Sequence, residues 1–175
     1  MSYNIGIDFG GVLSVHDGGN TEHKNTCINM LNAKESLEQM KNNGHTLSIV
    51  SFCGRSRATE TFSSLKENEL DTMFHNQYYV KKRDSKSGIC LYKGIQIMID
   101  DRTEILDDVS ANGPDGIITI WFGSEESHPV HKSAKDWTKV LEIIDKIKSE
   151  EIKINNEIIP VPSINVNKLC YLHTT

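Results

Sequence analysis

The chain has 175 residues, of which 37% are hydrophobic, and a formal net charge of -5 at pH 7. That length holds one α/β domain and is too short for two ordinary ones. The acidic balance argues against general nucleic-acid binding, because phosphate backbones recruit basic faces, while a small phosphorylated ligand stays allowed because the local field decides there.

The first predicted element is a strand over Asn4–Asp8, apolar at Ile5 and Ile7 and broken by Gly10-Gly11. The polar stretch from Ser14 to Thr26, with its turn cluster Asp17-Gly18-Gly19-Asn20, reads as a loop or flap. A helix follows over Met30–Asn42, with Leu31, Leu37 and Met40 apolar, and stops at Asn43-Gly44. The second strand, His45–Ser51, runs into Phe52-Cys53-Gly54-Arg55-Ser56-Arg57, which opens a helix ending near Glu67. Asn76–Val80 has β-type residues and reads as the third strand. A short helix at Lys86–Tyr92 precedes the strand Ile95–Asp100, and a helix over Thr103–Asn112 precedes the strand Gly116–Trp121. The last clear helix is Ala134–Ser149, with Trp137, Val140, Leu141, Ile144 and Ile147 on one face. Alternating strands and helices predict a three-layer, Rossmann-like α/β fold, a parallel sheet with helices on both faces. Residues 1–150 form this core, and 151–175 read as an extension packed on it or at the sheet edge.

Cys27, Cys53, Cys90 and Cys170 form no CxxC motif, so zinc is not expected, and free, packed thiols in a reducing compartment fit. The histidines show neither HxH nor HxxxH spacing, so no histidine metal site is expected. Met1-Ser2-Tyr3-Asn4 leads straight into the first strand and leaves no room for a signal peptide. No apolar run reaches the roughly 18 residues of a membrane span. A cytoplasmic protein with no membrane partner is the expectation.

Two of the apolar strands end in acids: Asp8 after the first, Asp100-Asp101 after Ile95–Ile99. Ligands of α/β sheets bind at the carboxyl ends of strands. Carboxylates converging there suit a hard divalent cation, and the two glycines after Asp8 let backbone approach closely. Each residue has a plainer role when taken singly. Asp8 is then a turn residue, Ser51 and Asp100-Asp101 are helix caps, and Lys86 is a solvated lysine. Their combination and order favour the functional reading.

In order, Asp8-Phe9-Gly10-Gly11-Val12-Leu13, Ser51, Lys86 and Ile99-Asp100-Asp101-Arg102 resemble the four motifs of the haloacid dehalogenase (HAD) superfamily of phosphatases and related hydrolases. The resemblance spans Ile5 to Ile147. It implies an HAD-like core, Mg²⁺ as cofactor, and a phosphorylated small molecule or nucleotide as substrate. The short spans from Leu13 to Met30 and from Ser51 to Lys86 leave no room for a large cap domain. Asp8 would be the nucleophile and form an aspartyl phosphate, with Ser51 and Lys86 completing the catalytic set. Asp8, Asp100, Asp101 and the carbonyl of Gly10 would hold the metal. Gly10, Gly11, Phe52, Cys53 and Arg55 would line the substrate, the amides of Phe52 and Cys53 facing its phosphoryl oxygens.

One position departs from the pattern. Gly10 stands where most phosphatases of the superfamily carry a second aspartate, which protonates the leaving group and later activates water. His16 and Asp17 in the flap are the nearest substitutes in sequence. The departure keeps two alternatives open: a non-phosphatase hydrolase of the superfamily, and a catalytically weak module that binds a phosphorylated ligand or a protein partner.

Overall fold

The computed structural model describes residues 2–14, 32–82 and 85–157. Within them, six strands form one sheet: β1 (Asn4–Ile7), β2 (Thr46–Phe52), β3 (Asn76–Val80), β4 (Ile97–Asp100), β5 (Ile118–Phe122) and β6 (Lys132–Ala134). Their order is β3-β2-β1-β4-β5-β6, with every neighbouring pair parallel. The helices are α1 (Ala33–Asn42), α2 (Arg55–Glu67), α3 (Ser85–Lys93), α4 (Thr103–Asn112) and α5 (Trp137–Glu157), with a single 3-10 turn at Asp71–Met73.

Successive strand residues point to opposite faces, and that alternation sorts the core. Ile5, Ile7, Leu47, Ile49, Ile97, Ile99 and Ile120 pack with Leu37 and Met40 of α1 and with Trp137, Val140 and Ile144 of α5. Val50 and Met98 face the other way, toward Cys90 of α3 and Ile105, Leu106 and Val109 of α4. Both faces are covered, so the inner strands read as continuous apolar runs. Gly6 sits on the α3/α4 face, where an added Cβ would lie 2.9 Å from Met98 Sδ and 3.1 Å from Ile95 Cγ2. A larger residue there would require the side chains of Met98 and Ile95 to give way. Gly44 (φ 85) and Gly94 (φ 62) adopt the left-handed backbone just past α1 and α3, at the stops the sequence signalled.

Both ends of the last helix differ from expectation. Ala134 belongs to β6, which pairs with β5 through Phe122 and Ala134, so the last helix begins at Trp137. The segment Lys132-Ser133-Ala134 has no apolar alternation to reveal it as a strand. At its other end α5 continues past Ser149 to Glu157, so the expected extension begins as helix. No glycine or proline interrupts that run, and the Tyr3 hydroxyl donates to Glu151 Oε2 at 2.6 Å, tying it to the start of β1. The remainder of 151–175, the flap beyond Ser14 with His16 and Asp17, Cys27 and Cys170 lie outside the described residues. Cys53 and Cys90 are free and buried. No helix among the described residues is long and apolar enough to cross a membrane.

Candidate active site

Register brings the acids together. β1 and β4 are neighbours with Ile7 opposite Ile99, and the Asp8 amide continues the ladder by donating to Ile99 O at 2.9 Å. Asp8 is therefore level with Asp100. By alternation both carboxylates fall on the face that holds Gly6 and Met98, which is the face α3 covers. Lys86, in the first turn of α3, is only 2% exposed. Its Nζ lies 3.0 Å from Asp8 Oδ1 and 2.6 Å from Asp100 Oδ2.

The charges in this pocket are strongly perturbed. Burial acts to strip the Lys86 proton, but the carboxylates of Asp8 and Asp100 outweigh it and hold the ammonium pKa above its ordinary value. Burial, reinforced by the Asp8 charge, pushes the Asp100 carboxyl up to about 7 against the pull of Lys86. Asp101, in the turn between β4 and α4, completes the acid group. Asp8, Asp100 and Asp101 each offer an oxygen within 4.8 Å of the others. Three carboxylates against one ammonium leave excess negative charge in a desolvated pocket. An all-oxygen donor set of this kind fits a hard divalent cation such as Mg²⁺.

The turn after β1 is tightly bonded. Leu13 and Ser14 amides both donate to Phe9 O at 2.9 Å, and the Gly11 amide donates to Ser14 O at 2.7 Å. Gly11 takes a φ of 77, and the Trp137 indole N–H reaches Val12 O at 3.1 Å, pinning the turn to α5. These bonds bear on two residues of the expected substrate lining. The Gly11 amide is already used, and so is that of Cys53, which donates to Val80 O at 3.1 Å across the β2–β3 edge. Both amides thus have backbone acceptors already. The amides without helical partners lie just beyond, in the first turn of α2 from Arg55, where the N-cap Gly54 has no side chain to satisfy them.

Phe52 and Arg55 are exposed at this end of the sheet, and Gly10 is half-buried beside Asp8. Ser51 is buried near the end of β2 and, two residues after Ile49, shares its face; among the described residues it makes no hydrogen bond to the Lys86 trio. The Cys53 thiol is held above its ordinary pKa by burial, with Asp8 adding to the effect and Arg57 and Lys86 opposing it. A thiol so placed is an inert packing group.

A second cluster escaped the sequence reading. Asp107 of α4 and His128 and His131 of the β5–β6 connection offer ligand atoms within 4.8 Å of one another. His131 is buried with Nδ1 2.7 Å from Thr119 Oγ1 and Nε2 3.1 Å from Asp107 Oδ1. The HxxH spacing of the two histidines was the available signal. Trp121 was also unforeseen as a site residue: its indole Nε1–H donates to the carbonyl of Asp101 at 3.2 Å.

No protein-family model matches the chain, and no curated protein matches it. Solved structures do. An uncharacterised protein from Listeria monocytogenes serotype 4b superposes with a TM-score of 0.65 at 18% identity, over 84% of this chain and 99% of that one. D,D-heptose 1,7-bisphosphate phosphatase from B. bronchiseptica, complexed with magnesium and phosphate, gives 0.63 at 10% identity, over 82% and 99%. An HAD-superfamily hydrolase from Ehrlichia chaffeensis gives 0.51 at 20% identity, over 66% of this chain and 57% of that one. These likenesses give the six-stranded parallel α/β architecture of this chain as an HAD-like fold.

Proposed function

We propose that the chain is a Mg²⁺-dependent phosphomonoester hydrolase that works through an aspartyl phosphate on Asp8. The reading rests above all on Lys86 Nζ, 3.0 Å from Asp8 Oδ1 and 2.6 Å from Asp100 Oδ2 in a pocket where three carboxylates converge. Its fold likeness to a bisphosphate phosphatase complexed with magnesium and phosphate supports the same class. The substrate is a phosphorylated small molecule or nucleotide. Between Ser51 and Lys86 the described residues supply only α2, a 3-10 turn and β3, so an open site is expected there.

In this scheme Asp8, Asp100, Asp101 and the Gly10 carbonyl would hold the ion, which would supply positive charge to the phosphoryl oxygens. Lys86, 3.0 Å from Asp8 Oδ1, orients that carboxylate. A carboxylate oxygen of Asp8 attacks phosphorus, the bond to the leaving oxygen breaks, and that oxygen takes up a proton. Water then attacks the acyl phosphate, gives up a proton to a base, and releases phosphate with the Asp8 carboxylate restored. Ser51 and the first-turn amides of α2 are the donors for phosphoryl oxygens. Gly10 carries no proton, so the acid and base come from elsewhere; His16 and Asp17 of the flap are the proposed sources.

Gly10 also favours a second reading, a module that binds metal and a phosphorylated ligand with little turnover. The deciding assay is release of inorganic phosphate from p-nitrophenyl phosphate, sugar phosphates and nucleotides. It is run with Mg²⁺, with EDTA and with Asp8→Asn. Turnover that vanishes in both controls is the expected result. Mg²⁺ binding with no turnover on any substrate would favour the module.

A further inference from the structure

We infer that Trp121 is a positioning residue for the Asp101 carboxylate, and that the β5–β6 connection is built to hold it. The inference rests on the metal-site reading above and deepens it. β4 and β5 pair with Asp100 opposite Trp121, which sets the indole beside the turn that carries Asp101. Nε1–H donates to Asp101 O at 3.2 Å. That bond fixes the peptide between Asp101 and Arg102. From the other side, Asp100 Oδ1 accepts the Arg102 amide at 3.1 Å. The turn is thus clamped at two points.

The three acids are placed by different means. Asp8 is set by the ladder bond of its amide, Asp100 lies within β4, and both meet Lys86. Asp101 lies beyond the strand. Arg102, the N-cap of α4, adds no side-chain cap bond to stiffen the turn. The place of Asp101 in the acid group therefore depends on the path of this turn, and Trp121 holds that path.

The indole is itself supported. His128 meets it edge-on, with centroids 6.0 Å apart and planes at 78°. His128 Nδ1 accepts the amides of Val130 and His131 at 3.3 and 3.2 Å. Its ring stacks on His131 at 4.3 Å and 7°. His131 is locked in turn between Thr119 and Asp107. This cluster has the residue types of a metal centre, but its geometry is that of a buttress. Ring lone pairs lie in the ring plane, so two parallel stacked imidazoles cannot both aim at one ion. The Nδ1 lone pair of His128 is also already engaged by two amides.

The test is titration calorimetry of the full chain with MgCl₂, beside thermal melts without metal. Trp121→Phe keeps a ring against His128 and removes the N–H. Its Mg²⁺ Kd is expected to rise about 3- to 10-fold, the scale of one lost orienting hydrogen bond. Trp121→Tyr, whose hydroxyl leaves the ring at a different point, should fall between Phe and wild type. A Kd equal to wild type in Trp121→Phe, whatever its melting temperature, overturns the inference. If Trp121→Phe does not fold, an unchanged Kd in Trp121→Tyr does the same. A wild-type chain that binds no Mg²⁺ defeats the metal reading itself, a distinct result from a variant that matches a binding wild type.

Discussion

Lys86 carries the most weight of any single residue. Burying an ammonium is unfavourable unless carboxylates meet it, and here two do, at 3.0 and 2.6 Å. The arrangement makes Lys86 structural, and under the proposed mechanism functional as well. Replacing it with Met would leave two buried carboxylates facing each other without a counter-charge. We expect metal-free stability to fall by about 3–5 kcal/mol, the scale for breaking a buried ion pair. Turnover should drop at least about 100-fold, as when one preorganised electrostatic partner is lost. Chemical denaturation and the phosphate-release assay check both halves. A Lys86→Met variant as stable and active as wild type would remove the trio from the account.

At this scale the sequence was readable where a residue's role follows from strand ends. Asp8 and Asp100-Asp101 each close an apolar run, and Lys86 opens the helix before the second of them. It was unreadable where a role depends on a bond between distant segments. Nothing in the sequence says that the Cys53 amide is spent on Val80, or that the Gly11 amide is spent within its own turn. Trp121 looks like an ordinary apolar strand residue until its register with Asp100 is known. Asp107 and His131 are 24 positions apart, so their pairing has no local signature.

At the scale of elements, the long apolar strands and amphipathic helices were legible because their periodicity is intrinsic. β6 was not: it is three residues long and owes its conformation to pairing with β5. Short edge pairings of this kind are set by tertiary contact rather than by pattern. The junction of β1 and β2 offers a prediction. His45 precedes β2, is buried, and stacks on Tyr3 with centroids 5.4 Å apart. Its Nδ1 accepts the Tyr3 amide at 2.9 Å, so the neutral ring is the one the fold requires. Burial first, then the charge of Lys148, lowers its pKa below the ordinary 6.5. The unfolded chain therefore takes up this proton more readily than the folded one. The contribution of His45 is fully favourable above pH 6.5 and is lost as pH falls below it toward the depressed folded value. The raised Asp100 carboxyl works in the opposite direction over part of this range, so the informative quantity is a difference. Melts between about pH 7.5 and pH 5.5 should show a smaller acid-side loss in His45→Gln than in wild type. Parallel pH profiles for the two proteins would contradict this.

For the whole molecule, a parallel sheet sends every strand's carboxyl end in one direction. The β1–β4 pairing at its centre therefore concentrates acids where helices begin. The net charge of -5 makes a local demand for cations plausible chemistry rather than an accident of composition, because the acids are gathered rather than dispersed. The fold places Asp8 beside Lys86, and the account turns on Asp8 being the group that accepts phosphoryl. The most direct measurement is ¹⁹F NMR of the chain with beryllium fluoride and Mg²⁺, which forms a stable mimic of an aspartyl phosphate. The account predicts a bound fluoride signal that is lost with EDTA and absent from Asp8→Asn. No such signal from folded, Mg²⁺-bound wild type, or one that survives in Asp8→Asn, would contradict it.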